Sequence, residues 1–93
     1  MIERAEALAQ LSRLLGDDNL RAASPEAARA AARTGHARLA DGLVAEAAES
    51  DDVSDRASAL AYLEQRLRGL SELIDNAEQA RLLATAREQI ERW

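Results

Sequence analysis

The chain carries one histidine, His36, and it stands in a stretch from Ala32 to Leu43 that holds most of what the sequence offers for chemistry. On a helical wheel His36 falls near the middle of an apolar side, with Ala32 at i−4, Leu39 at i+3, Ala40 at i+4 and Leu43 at i+7. Arg33 and Arg29 precede it by three and seven residues on one edge of that stripe, so the three side chains form a ladder on adjacent turns. Gly35 and Gly42 stand where a helix former is expected, at a cost of about 1 kcal/mol each relative to Ala.

Two chemistries and one purely structural arrangement suit that constellation. Neutral His36 could serve as the single axial ligand of a haem or related porphyrin held between helices. Arg29 and Arg33 would then pair the propionates, and Gly35, Leu39, Gly42 and Leu43 would shape the space around the ring. The same ladder could bind a carboxylate or a phosphate. The structural alternative puts His36 at the core margin, hydrogen-bonded to a carbonyl or carboxylate of a neighbouring helix, while the arginine stems cover apolar surface. The two glycines divide in the same way, either reserving space for a ligand or letting helices cross closely. A zinc site is not expected of a chain with one His and no Cys, so haem iron at His36 is the metal chemistry to consider.

Other classes of chemistry are excluded by composition. All twelve basic residues are Arg, which removes Schiff-base and P-loop lysines, and the absence of Cys removes thiolate nucleophiles and disulfides. A serine, His36 and an acid make a triad only on paper, since no nucleophile elbow or glycine-rich oxyanion loop is present. The paired acids Asp17–Asp18 and Asp51–Asp52 sit in turns as caps. A net charge of −5 and two aromatic residues, Tyr62 and Trp93, speak against nucleic acid as a partner. No signal peptide or membrane span is visible, and the expected location is the cytoplasm.

The elements that must position these residues are read as helices. Ala makes up roughly a quarter of the chain and Phe is absent, which favours helix and a core of Leu with Ala spacers. The first helix, at about 2–15, places Met1, Ala5, Leu8, Leu11, Ser12 and Leu15 on one side, and Gly16 is set to stop it. A turn at Asp17–Asn19 leads to a single helical turn at about 20–23. Ser24-Pro25-Glu26 then starts a second helix at about 25–49. Its charge order is odd, with Arg29, Arg33 and Arg38 in the first half and Asp41, Glu46 and Glu49 in the second, against the helix dipole.

The third helix, at about 55–74, has the clearest core stripe: Leu60, Leu63, Leu67, Leu70 and Ile74. Asp51 and Asp52 are its candidate caps. On its far side Tyr62, Arg66, Gly69 and Leu73 form a mixed line of the kind found in protein contacts. At about 100° per residue, the later stripe of Leu83, Ala86, Ile90 and Trp93 centres about 130° away. The spacing therefore predicts a break at Asp75–Asn76 and a fourth helix at about 77–92.

The expected architecture is all-α: one domain over 1–93, a compact up-and-down antiparallel bundle of four helices, or three if the last two are continuous. Arg-only, Ala-rich usage suits a GC-rich genome, whereas orderly caps and short turns suit a designed bundle; the glycines inside the second helix and its acidic end depart from design rules. The expected function is that of a small soluble binding or scaffold module acting through helix-face contacts with a protein partner or by self-association, and not that of an enzyme. The alternative is a haem- or porphyrin-binding bundle.

Overall fold

The chain first turns at Gly16, whose φ of +67° is the left-handed conformation that glycine adopts without a Cβ penalty. That turn ends α1 (Glu3–Leu15) in the computed structural model, which describes residues 3–93 and the side chains from Arg4 onward. Ala7, Leu8, Leu11, Ser12, Leu14 and Leu15 are the buried face of α1, whereas Ala5 is exposed. The expected contributions of Met1 and Ile2 lie outside the described residues. Buried Ser12 is satisfied by donating its Oγ hydrogen to the Asp17 carbonyl at 2.8 Å, which ties the end of α1 to the following turn. A 3₁₀ helix (Asp18–Ala22) follows and seats Leu20 in the core, starting earlier than the single turn expected at about 20–23.

Ser24 starts α2 (Pro25–Thr34) as the sequence predicts, its hydroxyl accepting from the Ala27 amide with Pro25 at the first helical position. The predicted single helix at about 25–49 is corrected here: it breaks at Gly35, and α3 (His36–Glu49) begins at the next residue. Gly35, like Gly42, is a poor helix former, and α1 presses on it most closely, since a Cβ there would stand 2.7 Å from Leu15 Cδ2. The break also resolves half of the charge anomaly. Arg33 now lies in the last turn of α2 and Glu26 in its first, both in the sense the dipole favours.

α4 (Arg56–Gly69) is capped by Asp55, and not by Asp51 or Asp52, in a reciprocal box in which Asp55 accepts from the Ser58 amide and Ser58 Oγ accepts from the Asp55 amide. It is shorter than the predicted span of about 55–74. After Gly69 the chain closes by short-range bonds, Leu70 N to Leu67 O, Ser71 N to Arg68 O and Leu73 N to Leu70 O. This turn brings Leu73 into the core beside Leu70 and Ile74, and it rules out one continuous helix to the end of the chain. α5 (Asn76–Ile90) starts at the predicted break, with Asp75 accepting from the Glu78 amide at 2.8 Å. Its buried stripe is Glu78, Leu82, Ala86 and Ile90: Ala86 and Ile90 of the expected stripe are buried, Leu82 takes the core place expected of half-buried Leu83, and Trp93 is exposed.

The described residues thus form five α-helices and one 3₁₀ turn, not four helices, and contain no strand. α3 is the hub, packing against α1 on one flank, α5 on the other, and α4 as well. Leu39, Ala40, Leu43 and Ala47 of α3 are fully buried, and one apolar cluster runs from Ala7 of α1 to Ile90 of α5. Leucines fill it and alanines space it, as the composition implies. The Cα radius of gyration, 12.6 Å, is close to the roughly 12 Å of a densely packed chain of this length. Among the described residues no helix is long and apolar enough to cross a membrane.

Candidate functional site

His36 is the first residue of α3, placed there by the break at Gly35, and it reaches across to α5. Its Nδ1 lies 3.2 Å from Glu78 Oε1 and its Nε2 lies 2.9 Å from Thr85 Oγ1. The second oxygen of Glu78 accepts from Arg81 Nη1 at 2.9 Å, and Thr85 Oγ1 in turn donates to the Arg81 carbonyl at 3.1 Å. Glu78 and Thr85 are seven residues apart on α5, two helical turns, so the imidazole spans them along one face. The Glu78 side chain is 8% exposed and that of His36 21%. A carboxylate so buried needs its oxygens paired, and here each has a partner.

This knot has the order hydroxyl, imidazole, carboxylate found in hydrolytic triads. Thr85, however, sits inside a helix and its hydrogen is directed to the Arg81 carbonyl, which makes the cluster a clamp between α3 and α5. Gln89 adds to the clamp by donating to Asp41 Oδ1 at 2.7 Å. Among the described residues no group of three or more His, Cys, Asp or Glu side chains is placed to hold a metal ion.

The remaining members of the His36 constellation separate. Leu39 and Leu43 are fully buried core residues. Gly42 receives the backbone of α1, since a Cβ there would lie 3.2 Å from the Leu14 carbonyl oxygen, and Gly35 receives the Leu15 side chain. The position a Cβ would take at each glycine is therefore occupied by α1, while Gly35 also borders an open concavity of about 710 Å³ with Leu15, Leu20, Ala31 and Arg38. Arg38 completes that junction by donating to the Leu15 carbonyl, one of the unpaired acceptors at the end of α1.

Arg29 and Arg33 are exposed and line a cleft of about 220 Å³ between α2 and α5, together with Ala32, Leu73, Ile74, Asp75, Ala77, Glu78 and Arg81. His36 is not on its wall. A haem axial bond through Nε2 would displace Thr85, and the cleft is smaller than the roughly 300 Å³ at which sites for drug-sized ligands begin.

The line Tyr62, Arg66, Gly69 and Leu73 is also divided, because α4 ends at Gly69 and Leu73 turns into the core. The first three residues stay together beside α1, in a concavity of about 360 Å³ completed by Gln10, Asp52 and Gln65. Arg66 lies over the Tyr62 ring at 6.0 Å and donates from Nη2 to Glu46 Oε1 at 3.1 Å. Glu46 is shared, since its other oxygen accepts from Arg13 of α1 at 3.1 Å. Arg66 Nε is buried without a partner, alone in this among the described side chains.

Sequence reasoning missed Glu78, Thr85, Arg81 and Glu46. One signal for Glu78 was present: it stands four residues before Leu82 on the stripe continued by Ala86 and Ile90, an acid at a core position that must find a partner. Compared with known families, characterised proteins and solved structures, the chain shows no match.

Proposed function

We propose that this protein is a small helical binding module, its helices packed up-and-down, that engages a polar segment of a protein partner through the concavity formed by Tyr62, Arg66 and Gly69. The observation that carries this reading is the buried, unpaired Nε of Arg66, in a side chain that borders the concavity and stacks on Tyr62. A donor denied both protein and water costs about 1–3 kcal/mol, and a partner that draws the guanidinium outward onto a carbonyl or carboxylate relieves that cost. Tyr and Arg are also the residue types that most often dominate protein contacts, and Gln10 and Gln65 supply amides on the rim.

The test is sedimentation of the purified chain together with a partner screen, each repeated with Tyr62→Ala and Arg66→Ala. Self-association or partner binding lost in both variants, with unchanged helical circular dichroism, supports the reading. A strictly monomeric chain with a partner screen insensitive to Tyr62→Ala overturns it. The rival reading, His36 as the single axial ligand of a haem with Arg29 and Arg33 on its propionates, is decided by titrating haemin into the protein and into His36→Ala. A Soret shift that the variant abolishes supports it, and no shift, or one that persists in the variant, removes it.

A further inference from the structure

The geometry points to a binding site for a small oxyanion, a phosphate or a carboxylate on a short apolar stem, in the cleft between α2 and the N-terminal half of α5, held by Arg29, Arg33 and Arg81. This site is separate from the Tyr62 concavity and stands independently of the function proposed there.

Three observations converge on it. Arg29 and Arg33 are four residues apart and rise from adjacent turns of α2, while Arg81 faces them from α5 across the same cleft. Among the described residues neither Arg29 nor Arg33 takes part in an ion pair, although the chain holds seventeen acids against twelve arginines. The two acids on the cleft wall are already engaged: Asp75 accepts from the Glu78 amide at the start of α5, and Glu78 is shared between His36 and Arg81. Arg81 gives Nη1 to that bond, and a guanidinium has further N–H donors to offer.

Shape narrows the ligand. The floor is Ala32, Leu73 and Ile74, all buried and apolar, and the volume of about 220 Å³ suits a phosphoryl or carboxyl group with a few carbons. Planar guanidinium groups from two helices match an oxyanion through paired N–H donors, which a single exposed arginine cannot do as selectively. The wall carries three formal positive and two formal negative charges, so an anion brings it to neutrality or beyond by one unit. The knot behind it fixes the pose of Arg81, since Glu78 is anchored to α3 through His36.

The experiment is an amide NMR titration with inorganic phosphate and, separately, with butyrate, at ionic strength held constant with sodium chloride. Saturating shifts are expected at Ala32, Arg33, Ile74 and Ala77, weakened roughly tenfold by Arg29→Gln and by Arg33→Gln, each of which removes charge-assisted hydrogen bonds. Both arginines are exposed, so the variants keep the fold, and Arg87→Gln, exposed on α5 away from the cleft, leaves binding unchanged. Saturation by phosphate alone assigns a phosphoryl ligand, saturation by butyrate alone assigns a carboxylate, and saturation by both supports their shared chemistry. Linear shifts with both ions, or saturation at an unchanged concentration in both arginine variants, overturn the proposal.

Discussion

The two flanks of α3 are held by different physics. Toward α5 the contact is pinned by a polar knot around Glu78, which is 8% exposed and pairs with His36 and Arg81. Toward α1 it depends on close backbone approach at Gly42, with the Arg13–Glu46 ion pair at the edge, where the Arg13 side chain is 60% exposed. Burial decides how much a charge contributes. A carboxylate shielded from water is costly to leave unpaired, whereas an exposed pair trades one set of solvent contacts for another.

That contrast can be broken from either side. Glu78→Ala is expected to have the largest effect, a loss of about 2–3 kcal/mol in chemical denaturation, because it leaves His36 and Arg81 without their acceptor and opens space beside Leu82. A double-mutant cycle between His36 and Glu78 should show a coupling near 1 kcal/mol or more. Gly42→Ala comes next. The helix gains about 1 kcal/mol in propensity, but the new methyl meets the Leu14 carbonyl at 3.2 Å, and backbone on that side cannot swing away, so a net loss of roughly 1 kcal/mol is expected in the same measurement.

Smaller effects sharpen the comparison. Arg13→Ala should cost about 1 kcal/mol or less, and the difference from the native chain should shrink in high salt, whereas the Glu78→Ala difference persists. Gly69→Ala is the glycine control: its Cβ would find only Gln10 Oε1 at 4.0 Å, so the melting temperature should rise, by the equivalent of about 0.5–1 kcal/mol. Asp55 supplies the pH dependence. Its carboxyl is held below the usual carboxylate value of 3.8 by the Ser58 amide first and the Ser58 hydroxyl next. With a folded value below the unfolded one, its contribution is complete above the unfolded value and is lost as pH falls through the folded one. Asp55→Asn should therefore flatten part of the acid limb of a stability profile, and an unchanged limb would count against that cap.

Local signals in the chain were legible because they need only neighbours. Ser24-Pro25, Gly16 and Asp75 stop and start helices through atoms within a few residues, and each acts where the sequence places it. Of the stripe Leu60, Leu63, Leu67, Leu70 and Ile74, all but half-buried Leu60 enter the core as the spacing implies, although the last residues arrive by a turn instead of a helix. Gly35 was visible as an oddity but not as a break, since the pressure that exposes its weakness comes from Leu15, twenty residues earlier. The partners of His36 were out of reach for the same reason: Glu78 and Thr85 lie 42 and 49 residues away.

What the sequence determined by itself is an all-helical chain with a leucine and alanine core, capped helix starts and a single histidine on the inward side of its helix. Those properties follow from propensity, periodicity and capping, which act over one or two turns. Only the tertiary structure decided that the central helix divides at Gly35, that Leu73 leaves the face of Tyr62 and Arg66, and that Arg29 and Arg33 meet Arg81 and not His36. Each of those outcomes depends on which helix lies opposite, and on how closely a backbone can approach a position that has no Cβ.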